Sequence, residues 1–160
     1  MLLRKIILVL LCSVLFASVQ AETVFQDTQN HFVDTKNLKG KWIIVNYWAE
    51  WCGPCLKEIP GLNHFYKTNK DKNVVMFGVY YDRLEMDDLK RMANSVRIEF
   101  PVLSADPKEI WQLAEVSILP TTFIVGPDGV VANEIYGASS EDNLVQTLRE
   151  SQRVYAATHQ

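Results

Sequence analysis

The chain has 160 residues, a net charge of −3 and 48% hydrophobic residues. This length and composition suit one globular domain with a sizeable core. The sequence has no basic run that would suggest nucleic-acid binding, and beyond the N-terminus it has no apolar segment that suggests a membrane span. These features favour another protein as the partner.

The N-terminal residues have the features of a cleavable export signal. Arg4 and Lys5 precede the apolar stretch Ile6–Ala17, and small residues occupy the first and third positions of Val19-Gln20-Ala21, as signal peptidase requires. The alternative is an uncleaved membrane anchor, but this stretch is short for a bilayer, which needs about 20 apolar residues. We therefore expect a signal peptide over residues 1–21.

Cleavage would leave residues 22–160 as a single exported domain with no stable membrane span. It would remove two positive charges and no negative one, so the net charge would change from −3 to −5. Cys12 would leave with the signal. Only Cys52 and Cys55 would remain, so the mature chain has one possible bridge and no disulfide framework.

Apolar patterns along the mature chain predict strands that alternate with helices. In chain order they are a hairpin over Thr23–Phe25 and His31–Val33, a buried strand over Trp42–Trp48, a helix from Gly53 to about Thr68, a buried strand over Val74–Tyr81, a helix from about Met86 to Val96, a short strand over Phe100–Leu103, a helix over Pro107–Ala114, a strand beginning at Leu119, a return strand over Val130–Ile135 and a helix from Glu141 to about Arg153. This order predicts an α/β fold with a mixed central sheet flanked by helices.

In the helix that begins at Gly53, Ile59, Leu62 and Phe65 recur at helical spacing and predict the buried face. Asn63 falls elsewhere on the helical wheel. Pro54 fits the first turn, where its missing N–H does no harm.

Cys52 and Cys55 lie three residues apart where the buried strand gives way to this helix. A helix that starts here places Cys52 beside unpaired N–H groups and the positive end of the helix dipole, which favours the thiolate. The thiolate is the form that attacks disulfides. A purely structural bridge across so short a loop would restrict the unfolded chain by only about 2 kcal/mol, against about 4.7 kcal/mol for a hundred-residue loop, so redox exchange explains the spacing better.

Three segments resemble the thioredoxin superfamily: Trp48–Cys55 with its Cys-Gly-Pro-Cys sequence, Pro60 five residues later, and Leu119–Phe123 ahead of a Pro-Asp-Gly turn. The resemblance implies a thioredoxin-like fold in which Pro120 is a cis-proline facing the dithiol. It also implies a protein thiol-disulfide oxidoreductase that uses the redox-active disulfide Cys52–Cys55 and requires no cofactor.

Three further features resemble the exported TlpA/ResA-like branch of that superfamily. They are the opening hairpin that leads to Leu38–Lys41, the segment Cys55–Pro60, and a helix and strand inserted between about Asp82 and Leu103. The fold expected is therefore thioredoxin-like, with an N-terminal β-hairpin and a TlpA-type helix-strand insertion before the cis-proline.

The resemblance assigns a role to each residue of the motif. Cys52 would attack a client disulfide and Cys55 would resolve the mixed disulfide that results. Glu58, on the same helical face as Cys55, matches a buried glutamate of ResA-like proteins and would accept the proton of Cys55. The alternative is that Glu58 caps or solvates an exposed helix. The residues expected to shape the active site and bind substrate are Trp51, Gly53, Pro54, Leu119 and Pro120.

One position departs from many thioredoxins. Where they carry a buried aspartate, six residues before the first cysteine, this chain has Asn46, which cannot titrate. Neither His31 nor His64 has a second ligand at metal spacing, so no metal site is expected.

The function expected is that of a periplasmic reductase of client proteins with disulfides or thiols, for instance in cytochrome c maturation, with a membrane thiol reductant as electron donor. The Gly-Pro pair favours this direction, because thioredoxin has a potential near −270 mV against about −120 mV for DsbA. The alternatives are a disulfide oxidase or isomerase, a metal-delivery protein and a non-catalytic binding module. The segment Glu115–Thr122 lacks the Gly-Val-x-Gly-x-Pro-Glu-Thr pattern of cytochrome-maturation specialists, which weakens that pathway.

Overall fold

The computed structural model describes residues 24–70 and 72–159. The expected signal peptide and Cys12 lie outside the described residues. No helix within the described part of the chain is long and apolar enough to cross a membrane.

Within the described residues, seven strands and four α-helices follow one another in the order that the sequence predicts, with one short 3-10 helix over Thr35–Leu38. The strands are β1 (Val24–Gln26), β2 (Phe32–Asp34), β3 (Trp42–Trp48), β4 (Val74–Tyr80), β5 (Val102–Leu103), β6 (Thr121–Val125) and β7 (Val131–Tyr136). The helices are α1 (Gly53–Asn69), α2 (Met86–Ser95), α3 (Lys108–Trp111) and α4 (Glu141–Thr158).

A five-stranded mixed sheet forms the centre of the molecule, in the order β5-β4-β3-β6-β7. β3 runs parallel to β4, with Trp48 opposite Tyr80, and antiparallel to β6, with Tyr47 opposite Thr121. Every residue of β3 is buried, which explains why its sequence is a continuous apolar run rather than an alternating one.

The two faces of the sheet each carry a buried cluster. One face packs Ile44 and Trp48 against α1 and α4 through residues such as Phe65 and Leu144. The opposite face packs Val45 and its neighbours under the 3-10 helix and α3. The predicted mixed sheet flanked by helices is therefore confirmed.

The N-terminal hairpin of β1 and β2 is also confirmed, and it lies against the edge of the central sheet. The N–H of Ser104 donates to the carbonyl of Gln26 at 2.8 Å, and the N–H of Thr28 donates to the carbonyl of Val102 at 2.9 Å. These bonds cover the outer edge of β5, which would otherwise present unpaired backbone groups.

Several predicted boundaries were wrong. α3 ends at Trp111 rather than Ala114, because Gln112 adopts a left-handed conformation with φ of 49°. β5 comprises only Val102–Leu103 of the predicted four residues. α4 continues five residues beyond Arg153, where Tyr155 packs edge-on against Trp42 with ring centroids 5.7 Å apart.

Asn63 does not lie away from the core as its position on the helical wheel suggested. It is buried on α1, where its Nδ2 donates to the carbonyl of Arg97 at 2.8 Å and its Oδ1 accepts from the N–H of Glu99 at 2.9 Å. The side chain thus ties α1 to the loop after α2. That loop and α2 lie between β4 and β6, as expected for the inserted segment, and their assignment as a TlpA-type insertion stays a prediction.

Candidate active site

The dithiol lies at the junction of β3 and α1. Cys52 is the N-cap residue of α1, with φ of −86° and ψ of 93°, and its Sγ accepts a hydrogen bond from the N–H of Cys55 at 3.2 Å. Pro54 lies in the first turn, as predicted. Cys52 and Cys55 form a disulfide with their Cα atoms 5.2 Å apart.

The two cysteines of the disulfide differ in their access to solvent. Cys52 is 5% exposed and Cys55 is fully buried. A cleft of about 370 Å³ opens at the dithiol and is lined by Trp51, Cys52, Gly53, Pro54, Tyr81, Ser117 and Leu119. A partner in this cleft therefore reaches Cys52 and not Cys55.

Trp51 forms an exposed apolar wall of the cleft, with 60% of its surface open to solvent. Its ring meets Tyr81 edge-on, with centroids 6.1 Å apart, and its Nε1 donates to Asp82 at 3.1 Å. Sequence reasoning missed Tyr81, Asp82 and Ser117. The first two could have been found, because they follow β4, and parallel neighbouring strands end at the same edge of a sheet.

The peptide bond between Leu119 and Pro120 is cis, as the resemblance implied. Pro120 directly precedes β6, whose first residue, Thr121, pairs with Tyr47 near the end of β3. This pairing brings Leu119 to the cleft beside Cys52. The carbonyl of Pro120 accepts a hydrogen bond from the N–H of Gly137 at 2.8 Å.

Glu58 is 7% exposed and lies inside the fold, so it does not cap or solvate an exposed helix. Its Oε1 accepts from Nδ2 of Asn46 at 2.8 Å, and its Oε2 accepts from the N–H of Ser139 at 3.0 Å. Burial raises the pKa of Glu58 above its usual value, and the two hydrogen bonds, from Ser139 and then Asn46, oppose part of that rise. The direction is the one a proton acceptor near neutral pH requires.

Asn46 is a residue whose contribution the sequence did not reveal. Besides Glu58, its Nδ2 donates to Oγ1 of Thr122 at 2.9 Å, so the amide joins β3, α1 and β6 inside the core. A signal was present, since a lone polar residue within an otherwise apolar buried strand needs a buried partner. Which partner it finds depends on contacts between distant segments.

Two further groups lie behind the dithiol. Trp48 is fully buried, as expected for a core residue, and meets Tyr80 edge-on with centroids 5.2 Å apart. The hydroxyl of Tyr80 donates to Glu50, the residue before Trp51. Burial, reinforced by the hydrogen bond to Glu50, raises the pKa of Tyr80 above its usual range, so the tyrosine remains a neutral donor.

His31 and His64 are exposed, and each lies beside a carboxylate. His31 is 3.4 Å from Asp27, and His64 is 2.6 Å from Glu141. Within residues 24–70 and 72–159, no group of three or more His, Cys, Asp or Glu side chains is arranged to hold a metal ion.

Residues 18–134 match the AhpC/TSA family. The chain is 32% identical over 127 residues to the thiol-disulfide oxidoreductase ResA of Bacillus thuringiensis (strain Al Hakam), an alignment that covers 79% of this chain and 73% of that protein. The protein is a thiol-disulfide oxidoreductase with a thioredoxin-like fold. It belongs to the AhpC/TSA family and is a homologue of ResA.

Solved structures share this fold. StoA from Bacillus subtilis is 20% identical with a TM-score of 0.66, and the match covers 81% of this chain and 98% of StoA. The pneumococcal exposed lipoprotein thioredoxin Etrx1 from Streptococcus pneumoniae is 22% identical with a TM-score of 0.69, and the match covers 81% of this chain and 99% of Etrx1. At these identities the likeness shows the fold alone.

Proposed function

We propose that the protein reduces disulfides in client proteins, with Cys52 as the nucleophile, Cys55 as the resolving cysteine and Glu58 as the proton acceptor. The observation that carries the proposal is the difference in access within the dithiol: the cleft reaches Cys52, whereas Cys55 is fully buried on the same helix as the buried carboxyl of Glu58.

The reaction begins with both cysteines reduced. The thiolate of Cys52 attacks one sulfur of the client disulfide, forms a mixed disulfide and releases the first client thiolate. Cys55 then gives its proton to Glu58 and attacks Sγ of Cys52. The Cys52–Cys55 bond forms, the bond to the client breaks, and the second client sulfur leaves as a thiolate. Two electrons pass to the client, whose two thiolates take up protons.

The environment of each group supports its role. Cys52 lies at the N-terminus of α1, where the first N–H groups and the helix dipole stabilise a negative sulfur. Each oxygen of Glu58 accepts one hydrogen bond and retains a lone pair with which to receive a proton. The exposed ring of Trp51 and the backbone around Leu119 offer an apolar wall and an edge for an extended client segment.

The location and direction belong to the same proposal. The features of residues 1–21 support export to the periplasm, with membrane attachment if the signal is not cleaved. The Gly-Pro pair between the cysteines supports reduction over oxidation, with a membrane thiol reductant to restore the dithiol. Cytochrome c maturation stays a prediction for the client pathway, and the segment Glu115–Thr122 gives it no support.

Trapping tests the order of attack. Cys55→Ser should accumulate mixed disulfides between Cys52 and clients, resolved on a non-reducing gel, because the resolving thiol is gone. The matched variant Cys52→Ser should trap nothing and lose exchange activity. If Cys52→Ser traps clients and Cys55→Ser does not, the assigned order is wrong. Equilibration of the Cys52–Cys55 pair with glutathione tests the direction, since a potential close to that of DsbA would indicate an oxidase.

A further inference from the structure

The amide of Asn46 holds the carboxyl of Glu58 from inside the core. Asn46 lies on β3 opposite Gly78 and is almost fully buried. Its Nδ2 donates one hydrogen bond to Oε1 of Glu58 at 2.8 Å and another to Oγ1 of Thr122 at 2.9 Å. An amide nitrogen carries two hydrogens, so both donors have partners.

We propose that Asn46 is a positioning residue for Glu58: its amide fixes the orientation of the buried carboxyl and thereby sets how readily Glu58 takes the proton of Cys55. The proposal rests on the role given to Glu58 above. Asn46 itself exchanges no proton, and it acts only through the hydrogen bond that it donates.

The physical basis is the competition between burial and hydrogen bonding at Glu58. Burial disfavours the carboxylate and raises the pKa of Glu58, while the N–H of Ser139 and the amide of Asn46 favour the carboxylate and oppose that rise. A hydrogen bond to a carboxylate is stronger than one to a neutral acid, because the acceptor is charged. Removing the amide should therefore raise the pKa of Glu58 further, because one of the two hydrogen bonds that lower it is lost.

Other titratable groups lie on the elements packed around Glu58. They include Cys55, Lys57 and His64 on α1, Tyr47 on β3, Glu134 on β7 and Glu141 on α4. Tyr47 belongs to the cluster on the opposite face of the sheet and donates to Asp106. Glu134 accepts from Tyr136, and Glu141 is paired with His64. The pKa of Glu58 is shifted by burial, by the N–H of Ser139 and by the amide of Asn46.

The test is a direct titration of the Glu58 carboxyl by ¹³C NMR of glutamate-labelled protein, with its signal assigned by its absence in Glu58→Gln. In Asn46→Ala the pKa of Glu58 should rise by about one unit or more, a tenfold change in proton affinity. The rate of exchange with a small disulfide depends on pH, and the limb of that pH profile that reports Glu58 should move to higher pH by the same amount. Asn46→Asp is nearly isosteric and should give two coupled carboxyl titrations, the upper above the wild-type value.

Thr122→Val is the matched control, because it removes the second partner of the Asn46 amide and leaves the bond to Glu58 in place. It should shift the titration of Glu58 by less than half as much as Asn46→Ala. The proposal is overturned if Asn46→Ala leaves that titration unmoved, if Thr122→Val shifts it equally, or if Asn46→Asp gives two independent titrations.

The same measurements separate this proposal from the function proposed for Glu58. If Asn46→Ala shifts the carboxyl titration but Glu58→Gln leaves the pH profile of exchange unchanged, Asn46 positions Glu58 as proposed and Glu58 is not the proton acceptor. If Glu58→Gln removes the limb but Asn46→Ala leaves the titration in place, Glu58 keeps its role and the positioning by Asn46 is wrong.

Discussion

Gly78 is the position where the structure most sharply limits the size of a side chain behind the dithiol. It lies in the middle of β4, and a Cβ built there would be 3.0 Å from Cε2 of Phe100, 3.1 Å from Cγ2 of Val102 and 3.2 Å from Nε1 of Trp48. Carbon atoms in good contact are about 3.5–4.0 Å apart. All three neighbouring side chains are buried, so none of them has open space to move into.

Gly78→Ala should therefore destabilise the protein. Overpacking of a close-packed core costs about 1–3 kcal/mol. Replacement of a glycine inside a strand returns about 0.5–1 kcal/mol, because the unfolded chain loses conformational freedom. The net loss in the free energy of unfolding should be about 0.5–2 kcal/mol. Nε1 of Trp48 is one of the three atoms that the new methyl group would crowd, so tryptophan fluorescence should report a displacement of the Trp48 ring. Trp48 belongs to the same buried cluster as Cys52 and Cys55.

Gly61→Ala is the matched control, with the opposite sign. Gly61 lies inside α1, and a Cβ there would be 3.5 Å from Cβ of Glu141, an ordinary contact. Alanine is favoured over glycine inside a helix, so stability should rise by about 0.5–1 kcal/mol. Urea denaturation of the oxidised protein measures both changes. If Gly78→Ala is as stable as wild type, or if both variants change in the same direction, the packing argument is refuted.

Two further predictions concern the site. Because burial raises the folded-state pKa of Glu58 above 4.5, its contribution to stability is fully present at acid pH and is lost as pH rises through the folded-state pKa. The free energy of unfolding of wild type should therefore fall relative to that of Glu58→Gln as pH is raised from 4 in urea denaturation, and parallel curves would contradict the assigned burial effect. Trp51→Ala should slow reduction of a protein disulfide such as insulin by about tenfold, as expected for an aromatic contact of about 1–2 kcal/mol. Phe32→Ala, an aromatic 75% exposed on β2 and outside the cleft, is the control, and an equal loss in both variants would remove Trp51 from client binding.

The elements nearest the dithiol were the most predictable from the sequence. β3 is a continuous apolar run and α1 begins at a motif whose cap and first-turn proline are local, so both were predicted to within one residue. The cis bond before Pro120 was predicted from the family motif. Its assignment needed that resemblance, because the cis form is uncommon even before proline.

The failures have long-range causes. α4 is longer than predicted because Tyr155, near its end, packs on Trp42, more than a hundred residues earlier. The polar residue Ser151 interrupts the apolar stripe of Leu144 and Leu148 before that point, so the stripe did not signal the extension. α3 ends early at a left-handed Gln112, where the sequence has no glycine to mark the stop. Asn63 was placed off the buried face because helical periodicity counts apolar residues only, whereas its partners are backbone groups of Arg97 and Glu99.

The sheet topology explains how separate segments of the chain meet at the dithiol. β3 and β4 are parallel, so their carboxyl ends bring Cys52 and Tyr81 to one edge, and β6 is antiparallel to β3, so its amino end brings Pro120 to the same edge. The loop after β7 then closes on both sides of the site. Gly137 donates to the carbonyl of Pro120 next to the cleft, and Ser139 donates to the buried carboxyl of Glu58.

The two hydrogen bonds to Glu58 differ in how far they depend on the identity of the donor residue. Ser139 donates through its backbone N–H, which every residue except proline would supply in its place. Asn46 donates through its side chain, so that hydrogen bond depends on the residue at one position of β3. An aspartate there would replace a neutral donor with a second carboxyl beside Glu58, and two neighbouring carboxyls would share one proton. The asparagine at this position therefore lets a glutamate on α1 ionise alone, which is the state that the proposed transfer of a proton from Cys55 to Glu58 requires.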